Sequence, residues 1–173
     1  MSVVLIGLGS NQGASVAIVK AAINRLGAFA AAGSMRQSSL YRTSPVDCAP
    51  GTGDFINAAV AFVPRAGLTP ETLLADLKAL EQEYGRQAVA PRHAPRPLDL
   101  DLLVFGEERR DTERFQLPHP RATERLFVMA PLAEIVPEFR WPGADRTVQV
   151  LLQTLQTDET VERLPPAVAA EHA

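Results

Sequence analysis

The chain has 173 residues, 46% of them hydrophobic, and a formal net charge of −3. This size allows one compact domain with a core and is short for two, and the small net charge gives no sign of a nucleic-acid or anionic-membrane partner. The single cysteine, Cys48, excludes an internal disulfide framework and a multi-cysteine metal site. The apolar N-terminal run is far shorter than the roughly 20 residues of a membrane helix, so we expect an unprocessed cytoplasmic protein.

The first half of the chain alternates between predicted strands and a predicted helix. Residues 3–8, "VVLIGL", are apolar and end in a glycine-bearing turn, which predicts a buried strand. Apolar residues then recur at helical spacing over residues 16–26, and Gly27 stands where a helix would stop. Two further strands are predicted over residues 34–44 and 55–63, joined by a segment rich in proline and glycine.

A second predicted helix and a fourth strand complete a recognisable order. Thr69 and Pro70 supply an N-cap and a first-turn proline to a helix that ends at Gly85, and "LDLDLLVF", residues 98–105, predicts a strand. Strand, helix, strand, strand, helix, strand is the order of a ferredoxin-like split βαβ fold. We therefore predict an α+β sandwich in which an antiparallel sheet carries helices on one face.

Shorter elements follow this unit. The sequence predicts a short strand near residues 115–117 and helices around residues 122–135 and 147–155. The last residues, ending in "LPPAVAAEHA", show no periodic pattern. We expect a single domain over residues 1–157 and a loosely ordered tail over residues 158–173.

Two acids interrupt the hydrophobic strand of residues 98–105. Because side chains alternate along a strand, Asp99 and Asp101 should project to the same side, roughly 7 Å apart. Two such carboxylates repel each other unless a cation compensates, and Mg²⁺ is commonly held by one or two carboxylates together with substrate phosphates. Taken alone, an Asp-x-Asp pair is more often the polar face of an edge strand.

Basic residues surround this acid pair in the sequence. Residues 84–98 contain no acid and four bases, Arg86, Arg92, His93 and Arg96. A second basic cluster consists of Arg114, His119, Arg121 and Arg125, although a solvated surface explains that cluster equally well. Guanidinium groups bind phosphate oxygens in bidentate fashion and stay charged near pH 7. Acids beside arginines predict a site for a metal-bound polyphosphate.

Common nucleotide-binding motifs do not account for such a site. The glycines of "GLGSNQG" lack the spacing of a dinucleotide fingerprint, and no Gly-Lys-Ser/Thr of a P-loop occurs. Phe55 and Asn57 should share one face of their strand, which would place an aromatic ring beside an amide that can hydrogen-bond a heterocycle. A core aromatic next to a turn amide is the alternative.

In this order the segments resemble the 6-hydroxymethyl-7,8-dihydropterin pyrophosphokinase family of folate synthesis. The resemblance lies in "IGLGSN", "SSLYRTSPV", "DFINAAV", "LEQEYGR", "RHAPRPLDLDLLVFG" and "LPHPRATERLFVMAPLAEIVPE". It implies a ferredoxin-like enzyme, an ATP-dependent diphosphokinase that transfers the pyrophosphoryl group of ATP to 6-hydroxymethyl-7,8-dihydropterin and releases AMP. We further expect a monomer that binds these two substrates and neither nucleic acid nor membrane.

The resemblance further implies roles for individual residues. Asp99 and Asp101 would hold two Mg²⁺ ions and, with Arg86 and Arg96, carry catalysis. The residues near ATP would be Glu81, Arg86, Arg96, Leu102, Arg114, His119 and Arg125. The pterin ring would lie between Phe55 and Phe127, with its edge near Thr43, Ser44, Val46 and Asn57.

Two other classes remain open from the residues alone. The same acid pair could serve metal-assisted phosphodiester hydrolysis or nucleotide-sugar transfer, neither of which needs a pterin. A non-catalytic ferredoxin-like module that binds RNA or a small regulator would show exposed aromatics on its central strands and a basic face. The predicted strands offer chiefly Tyr41, Phe55 and Phe62 as aromatics, and an acid pair disfavours RNA.

Overall fold

The computed structural model describes residues 2–44, 53–85 and 97–165. The split βαβ unit consists of β1 (Val4–Ser10), α1 (Ser15–Leu26), β2 (Arg36–Gln37), β3 (Tyr41–Thr43), β4 (Phe55–Phe62), α2 (Pro70–Glu83) and β5 (Asp99–Phe105). After it come β6 (Arg110–Asp111), β7 (Gln116–Leu117), α3 (Leu126–Ile135), α4 (Val148–Thr154) and β8 (Val161–Arg163). No helix within the described ranges is both long and apolar enough to cross a bilayer.

The main sheet has the strand order β5-β1-β4-β3-β8, with β2 paired to β4 beside β3. All of its pairings are antiparallel. The chain order of strands and helices in this sheet is the ferredoxin-like arrangement that the sequence predicts, and β1 and β4 occupy its centre. A separate two-stranded sheet is formed by β6 and β7.

The helices cover both faces of the sheet, which corrects the prediction that they lie on one face. Helices α1 and α2 pack on the face that carries Val4, Ile6 and Leu8 of β1. Helices α3 and α4 pack on the opposite face, against side chains that include Leu5 and Leu103. Both faces of the central strands are apolar over part of their length, so each must be covered. Among the described residues, α3 and α4 pack against only part of this second face, and the acid pair lies outside that part.

Local chemistry explains the ends of the predicted helix α2. The Thr69 side chain accepts the backbone N–H of Thr72 at 3.2 Å, and Pro70 opens the first turn. Such a cap contributes about 1 kcal/mol to helix stability. The helix stops at Glu83, and Gly85 takes a φ of 92° that favours glycine.

The predicted strand over residues 34–44 is broken in two. Between β2 and β3, Ser38 donates its backbone N–H to the Ala59 carbonyl at 2.9 Å, while the Ser38 hydroxyl accepts the Ala59 N–H at 2.9 Å. A side-chain oxygen thus takes the place of the backbone carbonyl, and the regular ladder is interrupted.

The tail predicted to be loosely ordered from residue 158 onwards includes a strand. Residues 161–163 form β8, which pairs antiparallel with β3, and Leu164 is 3% exposed in the core. The apolar side chain of Leu164 and the free edge of β3 explain why this segment docks.

Candidate active site

The acid pair lies in β5, on the same face of the sheet as α3 and α4. Leu100 and Leu102 point into the core beneath α1 and α2, whereas Asp99 and Asp101 alternate with them and are half-buried on the other side. This confirms the alternation predicted from the sequence. We call this side the acid-bearing face.

Asn57 lies on the same face, two strands away from the acids. In the register of the sheet, Gly9 of β1 pairs with Asp99 on one side and with Asn57 on the other. Tyr41 of β3 pairs with Asn57 and continues the row. Asp99, Gly9, Asn57 and Tyr41 therefore form one row across four strands. Neighbouring strands lie about 4.8 Å apart, so roughly 10 Å separates the Asp99 backbone from the Asn57 backbone.

The Asn57 amide is held on both sides. Its Oδ1 accepts the Thr43 hydroxyl at 2.5 Å, and its Nδ2 donates to the Leu8 carbonyl at 3.2 Å. Asn57 is 6% exposed and Thr43 is 3% exposed. Because an amide nitrogen has two hydrogens, Asn57 can still offer one of them to a ligand while the first fixes its orientation.

Two glycines keep the floor between the acids and Asn57 shallow. A Cβ atom on Gly9 would lie 2.8 Å from Asn57 Nδ2 and 4.0 Å from a ring carbon of Phe55. Both Asn57 and Phe55 therefore approach the Gly9 backbone on one face, as predicted from their spacing. Gly7, two residues earlier on the same face, pairs with Asp101. Both glycines belong to the "GLGSNQG" segment that was tested only as a dinucleotide motif; their i, i+2 spacing in a predicted strand was the available signal for a shallow floor.

Glu81 supports the edge strand from α2. Its Oε2 accepts the backbone N–H of Leu100 at 2.7 Å, and the residue is 5% exposed. Leu100 stands between the two aspartates, so Glu81 fixes the backbone that carries them. This contact places Glu81 next to the acid pair through the strand. Its position near the nucleotide, which the resemblance implies, stays a prediction.

His119 is fixed beside the acids by its backbone. It donates its N–H to the Leu103 carbonyl at 2.8 Å, and its Nδ1 accepts the Arg121 N–H at 3.3 Å. Burial, followed by the charge of Arg125, lowers the pKa of His119, and the charge of Asp99 opposes them only in part. The ring is therefore neutral at pH 7, with its proton on Nε2. His119 can therefore donate a neutral hydrogen bond to a ligand, whereas Arg125 can offer a ligand positive charge.

Arg125 and Phe127 flank the start of α3. The Arg125 guanidinium lies 5.6 Å from the centroid of the Phe127 ring, a distance that allows cation–π attraction. Phe127 is half-buried against the core on the acid-bearing side. Its exposed portion leaves room for contact with a ligand.

The other predicted residues are placed less centrally or lie outside the described ranges. Leu102 is buried in the opposite core, so its side chain is not brought together with the acids. Arg114 is exposed in the turn between β6 and β7. Arg86, Arg96 and Val46 fall outside the described residues.

The donor set at the acid pair fits Mg²⁺. The two carboxylates supply hard oxygen ligands from adjacent positions of one face. Within residues 2–44, 53–85 and 97–165, no group of three or more His, Cys, Asp or Glu side chains could enclose a metal ion. Water and substrate oxygens would supply further ligands, in the usual manner of Mg²⁺ binding with nucleotides.

Comparison with known proteins gives the family. A model of the 7,8-dihydro-6-hydroxymethylpterin-pyrophosphokinase (HPPK) family matches residues 5–137. The chain is 36% identical over 149 residues to the 2-amino-4-hydroxy-6-hydroxymethyldihydropteridine pyrophosphokinase of Synechocystis sp., covering 86% of this chain and 74% of that protein. It is 40% identical over 134 residues to the protein of the same name from Bacillus subtilis, covering 78% of each.

The fold agrees with a solved structure of greater size. The crystal structure of Plasmodium falciparum HPPK-DHPS S436F/A437G/A613T triple mutant with pteroate superposes with a TM-score of 0.66 at 14% identity. The match covers 88% of this chain and 43% of that one. Because the sequence identity is so low, this similarity supports the fold alone. The family match and the two bacterial relatives show that the chain belongs to the 7,8-dihydro-6-hydroxymethylpterin-pyrophosphokinase family.

Proposed function

We propose that this protein transfers the β,γ-pyrophosphoryl group of ATP to the hydroxymethyl group of 6-hydroxymethyl-7,8-dihydropterin in folate biosynthesis. The hydroxymethyl oxygen attacks the β-phosphorus, and the bond from this phosphorus to the α,β-bridging oxygen breaks. AMP leaves with that oxygen, and the hydroxyl proton is released. The protein is thus an ATP-dependent diphosphokinase, and no side chain is needed as a covalent nucleophile.

The observation that carries this proposal is the row of side chains across the acid-bearing face. The acids at one end are suited to metal-bound phosphate, and Asn57 with Phe55 at the other end is suited to a flat heterocycle. Only the glycine-bearing strand β1 separates the two ends, by roughly 10 Å in total from β5 to β4. A pterin lying over Asn57 can therefore extend a short hydroxymethyl arm towards phosphates held at the acids.

Binding and positioning of the phosphates would fall to Asp99 and Asp101 through two Mg²⁺ ions. When bound, Mg²⁺ neutralises the charge on the phosphate oxygens and orients the reacting groups. Glu81 would hold the strand that bears both aspartates, because it accepts the N–H of the intervening Leu100. These residues supply the electrostatic part of catalysis, which in phosphoryl-type transfer provides most of the barrier reduction.

The remaining groups would act on the two substrates separately. Arg86, Arg96 and Arg125 would supply positive charge to the triphosphate, and His119 would donate Nε2–H to a phosphate oxygen. Arg114 and the backbone at Leu102 would contact the nucleotide. The pterin would lie between Phe55 and Phe127, hydrogen-bonded by Asn57 and by the segment from Thr43 to Val46.

A product assay with acid-pair variants tests the function. The protein is incubated with ATP, Mg²⁺ and 6-hydroxymethyl-7,8-dihydropterin, and AMP and ADP are quantified with and without the pterin. We expect AMP only when the pterin is present. Asp99→Asn and Asp101→Asn should each lower kcat at least 10²- to 10³-fold, since losing one transition-state charge contact costs about 3–4 kcal/mol.

Asp76→Asn is the matched control. Asp76 is exposed on α2, on the opposite side of the sheet from the acid pair, and the same acid-to-amide change there should leave kcat within twofold. AMP formed without pterin would indicate a hydrolase, and ADP would indicate an ordinary kinase. Either product pattern would refute the proposal, as would full Mg²⁺-dependent activity of the Asp101 variant.

The oligomeric state and location remain predictions of the sequence. We propose that the protein is a monomer, since the side chains assigned to both substrates come from one chain. We also propose a cytoplasmic location, which the single cysteine fits. Light scattering at micromolar protein concentration, giving a mass near 18.7 kDa for a monomer or twice that for a dimer, decides the first point.

A further inference from the structure

The segment just before β8 contacts two separate parts of the candidate pterin site. Glu159 and Thr160 are consecutive in sequence and lie beyond residues 5–137, which the family model matches. Glu159 contacts the start of α3, and Thr160 contacts the end of β3. Phe127 lies in α3 and Ser44 directly follows β3, so one short piece of chain joins both sides of the proposed pterin pocket.

The first contact caps α3. Glu159 Oε2 accepts the backbone N–H of Leu126, the first residue of the helix, at 3.1 Å. The helix has no other side-chain cap at this end, because its N-cap residue is Arg125, whose side chain makes no capping bond. A carboxylate at this position satisfies a backbone donor and also interacts favourably with the helix dipole. Glu159 therefore fixes the helix start immediately before Phe127.

The second contact holds the end of β3. The Ser44 N–H donates to the Thr160 carbonyl at 3.3 Å, and the Ser44 hydroxyl accepts the Thr160 N–H at 3.5 Å. The pairing continues into β8, where Val161 lies opposite Thr43. Thr43 in turn donates its hydroxyl to Asn57. The docked segment therefore supports the strand on which the Asn57 amide depends.

From these contacts we infer that residues 159–161 form a clamp that sets the distance between the Phe127 side and the Ser44–Asn57 side of the pterin pocket. Glu159 is its principal side chain and is a positioning residue, since it acts through Leu126 and not on the substrate. The inference rests on the proposed function, because it assigns both sides of the pocket to the pterin. The acid pair receives its support from Glu81 instead. Of the described groups assigned to ATP, Arg125 adjoins Leu126, so the clamp should act more strongly on the pterin than on ATP.

The test compares Glu159→Ala with Glu159→Gln. Alanine removes the acceptor, whereas the glutamine carbonyl can still accept the Leu126 N–H. We expect Glu159→Ala to raise the KM for the pterin roughly five- to twentyfold, equivalent to about 1–2 kcal/mol, with a clearly smaller rise in the KM for ATP through Arg125, which adjoins Leu126. Glu159→Gln should restore most of the pterin affinity.

Glu162→Ala is the control on the same segment. Glu162 is exposed and pairs with Arg42 at 3.5 Å, with 68% of its side chain accessible, so it lies outside the clamp. It should leave both KM values unchanged. Equal rises in the two KM values of Glu159→Ala, or no rise in either, would overturn the inference.

Hydrogen exchange of the substrate-free protein separates the clamp from the proposed function. In Glu159→Ala, exchange should accelerate at amides 126–129 and at Ser44, with no such change in Glu162→Ala. Unchanged exchange at these amides would refute the clamp. Absence of pterin-dependent AMP in the wild type would instead refute the proposed function, and with it the assignment of the clamp to a pterin.

Discussion

Replacement of Gly9 by alanine tests the close approach on which the pterin side depends. The added Cβ atom would lie 2.8 Å from Asn57 Nδ2, closer than carbon and nitrogen atoms tolerate, so the Asn57 amide must move. It cannot do so freely, because its two hydrogen bonds to Thr43 and Leu8 fix it in a buried position. The backbone of Gly9 itself accepts alanine, since Gly9 is not among the residues with positive φ.

The magnitude follows from these contacts. A buried polar group that loses its partner costs about 1–3 kcal/mol, while alanine in place of glycine in a strand returns about 0.5–1 kcal/mol. We expect a net loss of about 1–2 kcal/mol. For a chain of this length that corresponds to a fall in Tm of roughly 2–8 °C. Misplacement of the Asn57 amide should also lower kcat/KM for the pterin about five- to thirtyfold.

Gly7→Ala is the matched control for this prediction. Gly7 lies on the same strand and face, but among the described residues its added Cβ would meet Leu103 Cδ1 and Cδ2 alone, at 3.6 and 4.0 Å, which is ordinary contact. Thermal unfolding and steady-state kinetics of both variants provide the comparison. If Gly9→Ala matches Gly7→Ala in Tm and retains the wild-type KM for the pterin, the assigned role of the Gly9–Asn57 approach is wrong.

Two further carboxylates give predictions of their own. Glu81→Ala should lower the free energy of unfolding by about 1–3 kcal/mol because it leaves the buried Leu100 N–H unsatisfied. Glu81→Gln retains an acceptor and should lose less stability. Urea unfolding of the two variants measures the difference, and equal stability would contradict the prediction. Burial raises the pKa of Glu134, but hydrogen bonds led by the Tyr41 hydroxyl, with the charge of Arg163, outweigh burial and hold that pKa below its ordinary value. A depressed carboxyl pKa stabilises the fold fully above the unfolded pKa and ceases to do so as the pH falls through the folded pKa. The stability difference between wild type and Glu134→Gln should therefore be constant above about pH 5.5 and shrink towards pH 3, and a difference that persists at low pH would exclude the ionised carboxylate as its source.

Much of the site could be predicted because it depends on local periodicity. The two-residue period of a strand placed Asp99 and Asp101 together on one face of their strand, and Phe55 and Asn57 together on one face of theirs, without knowledge of how the strands pair. The motif order also gave the family, which the comparisons confirm. Long-range contacts could not be predicted in this way. The resemblance suggested Glu81 as a site residue, but only the packed structure shows that it accepts the backbone N–H of Leu100.

The sequence by itself determined the order of strands and helices in the split βαβ unit, the N-cap of α2 and the alternation within each strand, because all of these depend on residues a few positions apart. Tertiary structure alone decided the register that brings Gly9 between Asp99 and Asn57, and the placement of α3 and α4 on the second face. It also decided that Glu159 meets Leu126, 33 residues away, in a segment predicted to be loose. Such contacts depend on apolar surfaces and free strand edges that come together only when the whole chain folds, and no window of neighbouring residues contains them.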